Sequence, residues 1–177
     1  MKIRTLFSAA LVLFTLVGTG YAEAKTEKVL GGKARITLPS GYEKLSSSAL
    51  RKAYPGSDRP KEAWYLDGQG GKALISFSVF EMRGQKINES HLATIADGMR
   101  EELEPYSPTM REGRVNGRKV VWLEVKAPSG RGSERKNMVM LVSAFQGKML
   151  VTSLMIDKDN NGRHLRAGKS ALGTLSY

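Results

Sequence analysis

Apolar positions recur along this chain at two different periods, and the switches between them mark out its elements. Lys33–Leu38 reads as a strand closed by Pro39-Ser40-Gly41. Ser46–Tyr54 reads as a short helix, capped by Ser46 or Ser47 and stopped by Pro55-Gly56. Ala63–Asp67 is a short strand. Gly70-Gly71 then opens a longer one, Lys72–Glu81, with Ala73, Ile75, Phe77 and Val79 on one side and Leu74, Ser76, Ser78 and Phe80 on the other. Leu92, Ile95, Ala96, Met99, Leu103 and Tyr106 return at helical spacing and predict a helix over Glu89–Tyr106. Asn88 is its N-cap, and Ile87 with Leu92 has the spacing of a hydrophobic staple. Arg111–Val115 and Arg118–Lys126 flank Asn116-Gly117, the strongest two-residue hairpin signal. Asn137–Phe145, a Gln146-Gly147 turn, Lys148–Ile156 and a helix over Gly162–Leu175 complete the chain.

The later strands do more than alternate. Met138-Val139-Met140-Leu141-Val142 and Met149-Leu150-Val151 are apolar at consecutive positions. A sheet with one wet face alternates, whereas a sheet covered on both faces does not. Hairpin links make neighbouring strands antiparallel. The expected class is therefore α+β: a three-layer α/β/α sandwich around a twisted, mainly antiparallel sheet of about six or seven strands.

The N-terminus follows neither period. Lys2 and Arg4 precede an apolar run, Leu6–Val17, and Ala22-Glu23-Ala24 places small residues at both outer positions. This is the layout of a secretory signal peptide. The run of about 12 residues falls short of the ~20 that cross a bilayer as a helix. Cleavage is expected after Ala24, with Ala22 as the alternative, leaving residues 25–177 as one domain in the periplasm or secreted, with no stable membrane anchor. The chain holds no cysteine. That excludes a thiol nucleophile, a redox pair, a cysteine-bound metal and a lipid-modified N-terminal Cys.

Charge narrows the partners. The chain carries 28 Lys and Arg against 17 Asp and Glu, a net charge of +11, which loss of the leader lowers by one. An exported domain this basic is drawn to acidic protein or to an anionic envelope surface. Nucleic acid suits the charge but not the compartment. Net charge of this size also keeps a small domain soluble.

Several chemical readings fail on spacing. Asp157-Lys158-Asp159-Asn160-Asn161-Gly162 matches the first half of a calcium loop, with Asp157, Asp159 and Asn161 as oxygen ligands. Gly168 then stands where a bidentate Glu is required, so a strand-to-helix turn is the stronger reading. Gly168-Lys169-Ser170 lacks the glycine five positions earlier that a phosphate loop needs. His91 and His164 are the two histidines, too few for zinc, and G-x-S-x-G does not occur. Glu101, Glu102 and Glu104 are neighbours on one helix, not carboxyls across a cleft. No catalytic set, cofactor or metal is expected.

Two features point to binding. Arg111, Arg114, Arg118 and Lys119, then Arg131, Arg135 and Lys136, form a basic cluster in and near the hairpins. The stretch from Tyr54 to Trp64 interleaves aromatics with Arg51, Lys52, Arg59 and Lys61. Arginine with aromatic residues is the composition that interface hot spots favour. A rival reading has Trp64 and Tyr54 covering a sheet edge while the charges solvate loops.

Taken in order, several segments resemble one family: Leu38-Pro39-Ser40-Gly41-Tyr42, Leu45, Tyr54-Pro55, Arg59-Pro60, Ala63-Trp64, Gly70-Gly71, Val115-Asn116-Gly117-Arg118-Lys119 and the Asp157–Gly162 turn. They resemble the PsbP-like α/β/α sandwich family over most of residues 33–175. That family includes bacterial DcrB-like envelope proteins, the photosystem II subunit PsbP and a Ran-binding nuclear import factor. The resemblance implies a non-enzymatic protein that binds a partner protein through loops, as a periplasmic adaptor or an immunity-type protein against a secreted effector. Two alternatives are a small-molecule or lipid binder with a pocket between sheet and helix, and a hydrolase.

Overall fold

The structure is a computed structural model, and it describes residues 24–57, 59–68, 71–82, 84–128, 135–159 and 162–177. The segment ahead of Ala24 expected to be a leader, together with Arg131 and Asn161, lies outside the described residues. The elements run β1 (Lys25–Val29), β2 (Ala34–Leu38), β3 (Glu43–Lys44), α1 (Ser47–Ala53), β4 (Glu62–Gly68), β5 (Gly71–Phe80), α2 (Leu92–Glu102), β6 (Thr109–Val115), β7 (Arg118–Pro128), β8 (Arg135–Phe145), β9 (Lys148–Asp159) and α3 (Arg163–Leu172).

Seven strands form one antiparallel sheet in the order β3-β4-β5-β9-β8-β7-β6. The consecutive apolar residues of its middle strands split between two cores, as a doubly covered sheet requires. Val139, Leu141, Leu150, Leu154 and Ile156 pack on one face, with α3 residues Ala171 and Leu172. Met140, Val142 and Val151 pack on the other, beneath Leu92 and Ala96 of α2. Farther along that second face, Leu50 of α1 meets Ala63 and Leu74.

Three features depart from the sequence reading. First, β1 and β2 form a separate hairpin. Val29, Ala34, Ile36 and Leu38 join the core on the α3 side, so that layer is half helix and half ribbon. The alternation in β1 is masked because four of its five residues are polar. Second, the helix over Glu89–Tyr106 is three pieces: a 3-10 turn at Glu89–His91, α2, and a 3-10 turn at Glu104–Tyr106. Pro105 has no N–H to offer Glu101 and disfavours helical geometry at Glu104, so the α-helix stops there. Third, α3 begins at Arg163, after Gly162 in left-handed backbone (φ 64°), and ends at Leu172 rather than Leu175. Beyond it Ser176 exchanges two backbone hydrogen bonds with Arg35 of β2, at 2.8 and 2.9 Å, pinning the ribbon to the end of the chain.

The predicted caps form. Ser46 Oγ accepts from Ala49 N at 3.2 Å. Asn88 Oδ1 accepts from Ser90 N at 2.9 Å, while Asn88 N donates to His91 Nδ1 at 3.2 Å. His91 therefore closes a helix start.

Candidate functional site

The site is the β6–β7 hairpin and the chain end beside it. Asn116 and Gly117 both adopt positive φ, 47° and 83°, the two-residue turn that suits twisted strands. Asn116 Nδ2 donates to the Leu175 and Thr174 carbonyls at 2.8 and 3.2 Å. The hairpin tip is thereby tied to the segment after α3.

Register then decides where the arginines go. Arg111 pairs with Trp122, and its guanidinium lies 4.7 Å from the indole centroid. Arg118 stacks on Tyr177, with its guanidinium carbon 5.5 Å from the ring centroid. Tyr177 is itself held edge-on against Phe145, at 5.1 Å between centroids. Arg114 donates from Nη1 to the Gly117 carbonyl at 2.7 Å. Arg118 Nη2 also donates to the Tyr177 main-chain oxygen at 3.5 Å. Among the described residues, no Asp or Glu carboxylate lies within 4.0 Å of these three guanidiniums. Stacking on an aromatic face attracts the cation and restricts its rotamers without neutralising it. Lys119 differs, because Glu112 pairs with it at 3.0 Å.

The predicted basic cluster is thus not one patch. Strand alternation places Arg111 and Arg118 on the α3 face, and Arg114 and Lys119 on the α2 face. Arg135 and Lys136 lie at the far end of β7 and β8, opposite Pro128 and Ala127. That is about 30 Å from the hairpin tip at ~3.3 Å per residue. Lys136 is mostly buried and paired with Asp157 at 3.0 Å.

Tyr54 and Trp64 do not come together either. Trp64 is 2% exposed and sits edge-on to Phe77 in the α3-side core, with Lys44 Nζ 4.9 Å from its ring centroid. Tyr54 packs on the opposite face with Leu50 and Leu74. Burial pushes its phenol up to about 12. Trp64 is a core residue, out of a partner's reach.

Asp157 and Asp159 belong to β9, an extended strand that cannot wrap a cation, and Asp157 is taken by Lys136. Among the described residues no group of three His, Cys, Asp or Glu side chains could hold a metal. Lys169, the lysine of the failed phosphate-loop reading, pairs with Glu124 across the α3–sheet interface. Two shallow depressions open on the surface. One, of about 360 Å³, is lined by Glu81, Met82, Gln85, Lys86 and Lys148, with Glu81 paired to Lys148. The Lys148 ammonium holds the Glu81 carboxyl below its usual range. The other, of about 570 Å³, lies between Arg100, Glu101, Glu104, Ser107 and Pro108. In neither is a hydroxyl hydrogen-bonded to a carboxylate or imidazole among the described residues.

Trp122 and Tyr177, the platforms under Arg111 and Arg118, were missed in the sequence. The first carries a usable signal: an Asn-Gly turn closing on Val115 and Arg118 forces Arg111 opposite Trp122. The second carries none, because Tyr177 reaches Arg118 through the path of the chain after α3.

No family model matches the chain, and no curated protein matches it. Solved structures do. A Bacteroides thetaiotaomicron protein aligns at a TM-score of 0.49 and 13% identity, covering 88% of this chain, which spans 48% of that protein's length. Cyanobacterial PsbP (CyanoP) of Synechocystis aligns at 0.54 and 9% identity, covering 93% of this chain and 98% of its own. The Ran-binding protein Mog1p of Saccharomyces cerevisiae aligns at 0.53 and 9% identity, covering 87% and 95%. These likenesses lend nothing to the narrower DcrB-like expectation. What they establish is architecture: this chain has the α+β fold of PsbP and Mog1p.

Proposed function

We propose that this chain is a non-enzymatic binding protein that recognises an acidic partner protein through the arginines of the β6–β7 hairpin. One observation carries the reading. Arg111, Arg114 and Arg118 are brought to one hairpin without Asp or Glu partners among the described residues, and two of them are pre-set on aromatic rings. A stacked guanidinium loses little freedom on binding, and arginine beside tryptophan and tyrosine is what interface hot spots use. The net charge of +11 supports an acidic partner, and a protein of the same fold, Mog1p, is Ran-binding. The leader-like N-terminus supports work after export, in the periplasm or secreted, as an adaptor or immunity-type protein.

Crosslinking the exported protein in its native envelope tests this. Wild type captures an acidic protein at low salt, and the yield falls as salt rises past the Debye screening regime. An Arg111→Gln, Arg118→Gln double variant weakens capture about tenfold, on the order of 1.4 kcal/mol. Unchanged capture by the folded double variant refutes the assignment. The mass of the exported chain tests the leader: cleavage after Ala24 starts the mature protein at Lys25.

A further inference from the structure

β6 is the last strand of the sheet, so among the described residues one of its two edges has no neighbour. The turn type fixes which backbone groups that edge presents. Val115 and Arg118 close a two-residue turn and exchange hydrogen bonds, so Arg111, Gly113 and Val115 bond inward to β7. Met110, Glu112 and Arg114 direct their N–H and C=O groups outward. Among the described residues nothing bonds those groups.

Sheets usually blunt their edges with short strands, charged side chains (lysine above all), proline or bulges. The opposite edge does so, since β3 is two residues long. β6 carries charges and none of the other devices. It runs seven residues in continuous register with β7 and contains neither Pro nor Lys. Its exposed side chains include Arg111 and Arg114, and Arg118 flanks its end.

We infer that β6 receives an extended acidic segment of the partner as an eighth strand. This rests on the reading of the hairpin as the protein-binding surface and names what that surface binds. Main-chain pairing supplies affinity, and the arginines supply selection. The register yields a pattern. Arg111 and Arg114 are three residues apart and so project to opposite faces. A strand paired beside them satisfies both with carboxylates three residues apart. Glu112 lies between them, on the Arg114 face, so the residue opposite it must be neutral or basic, because like charges directly across a ladder repel.

The test uses the full mature chain and a labelled peptide, Thr-Val-Glu-Val-Thr-Glu-Val-Thr, followed by fluorescence anisotropy. Glu112→Pro removes an outward N–H and no ladder bond, a placement edge strands tolerate. It is expected to weaken the peptide at least tenfold with an unchanged melting temperature. Methylating the peptide amides that face β6 does the same against wild type, and methylating the alternate amides does not. This second arm holds even if Glu112→Pro fails to fold. Exchanging both Glu residues of the peptide for Lys abolishes binding. If arginine substitutions weaken the peptide but proline and N-methylation leave it bound, strand addition is overturned and the arginine surface survives. A peptide that does not bind, while the arginine variants still lose the crosslinked partner, overturns strand addition alone. If the arginine variants keep both the peptide and the partner, strand addition and the hairpin reading fall together.

Discussion

Thr152 and Ser143 are wholly buried in the α3-side core, and neither hydroxyl has a hydrogen-bond partner among the described residues. An unpaired buried hydroxyl costs about 1–3 kcal/mol, while an isosteric methyl costs nothing of the kind. Thr152→Val is therefore expected to raise stability by about 1 kcal/mol, read as a higher urea midpoint with an unchanged slope. The Tyr177 hydroxyl shares this layer. Burial raises its pKa, and the Ser143 hydroxyl and the Arg118 charge oppose the shift, although no well-formed hydrogen bond joins it to Ser143. Tyr54 gives the clearest pH prediction. Its phenol titrates at 10.0 when unperturbed and at about 12 in the fold, so the folded chain binds more protons between those values. Its contribution is present below pH 10 and is lost as pH rises toward about 12. Tyr54→Phe flattens that alkaline decline in a denaturation series across the same range. At this scale the sequence was uneven evidence. Arg111 against Trp122 followed from turn register, but Trp64 had the composition of a hot spot and the position of a core residue. Burial is decided by strands that lie far apart in sequence.

Elements were more legible than side-chain contacts. Asn116-Gly117, Asn88 and Ser46 each specify local geometry by their own chemistry, and each does what its residue type dictates. The long helical stripe misled because period alone ignores Pro105, which interrupts the hydrogen bonds while leaving the apolar face continuous. β1 was invisible because a mostly polar ribbon strand has too few apolar positions to show a period. Gly168 shows the tightest element contact. A Cβ there would stand 2.5 and 2.6 Å from the Leu154 methyls and 3.1 Å from its Cγ. Leu154 is 0% exposed and has nowhere to move. Alanine gains about 1 kcal/mol of helix propensity, but overpacking costs about 1–3 kcal/mol and lifts α3 from β9. Gly168→Ala is thus expected to lower stability by up to about 2 kcal/mol in chemical denaturation. An increase would mean that α3 rides higher on the sheet than described.

Across the whole molecule, doubly apolar strands predicted a sheet covered on both faces, and the two cores bear that out. The pattern did not say what would cover it, and a β-ribbon shares one side with a helix. The basic residues dispersed for the same reason: neighbours in sequence separate to opposite faces, and the two ends of an eleven-residue strand are far apart. Strand order has a further consequence, for how the chain acquires its shape. β6 to β9 are a simple meander of adjacent hairpins, whereas β5 must find β9 across the whole of that meander. Short closures are fast and distant ones slow, so the meander is expected to assemble before β4 and β5 zip onto β9. Each half happens to contain one tryptophan, Trp122 in β7 and Trp64 in β4. In stopped-flow refolding, Trp64→Phe would leave an early fluorescence phase and Trp122→Phe a late one, so the chain carries its own clock for the order in which its sheet is built.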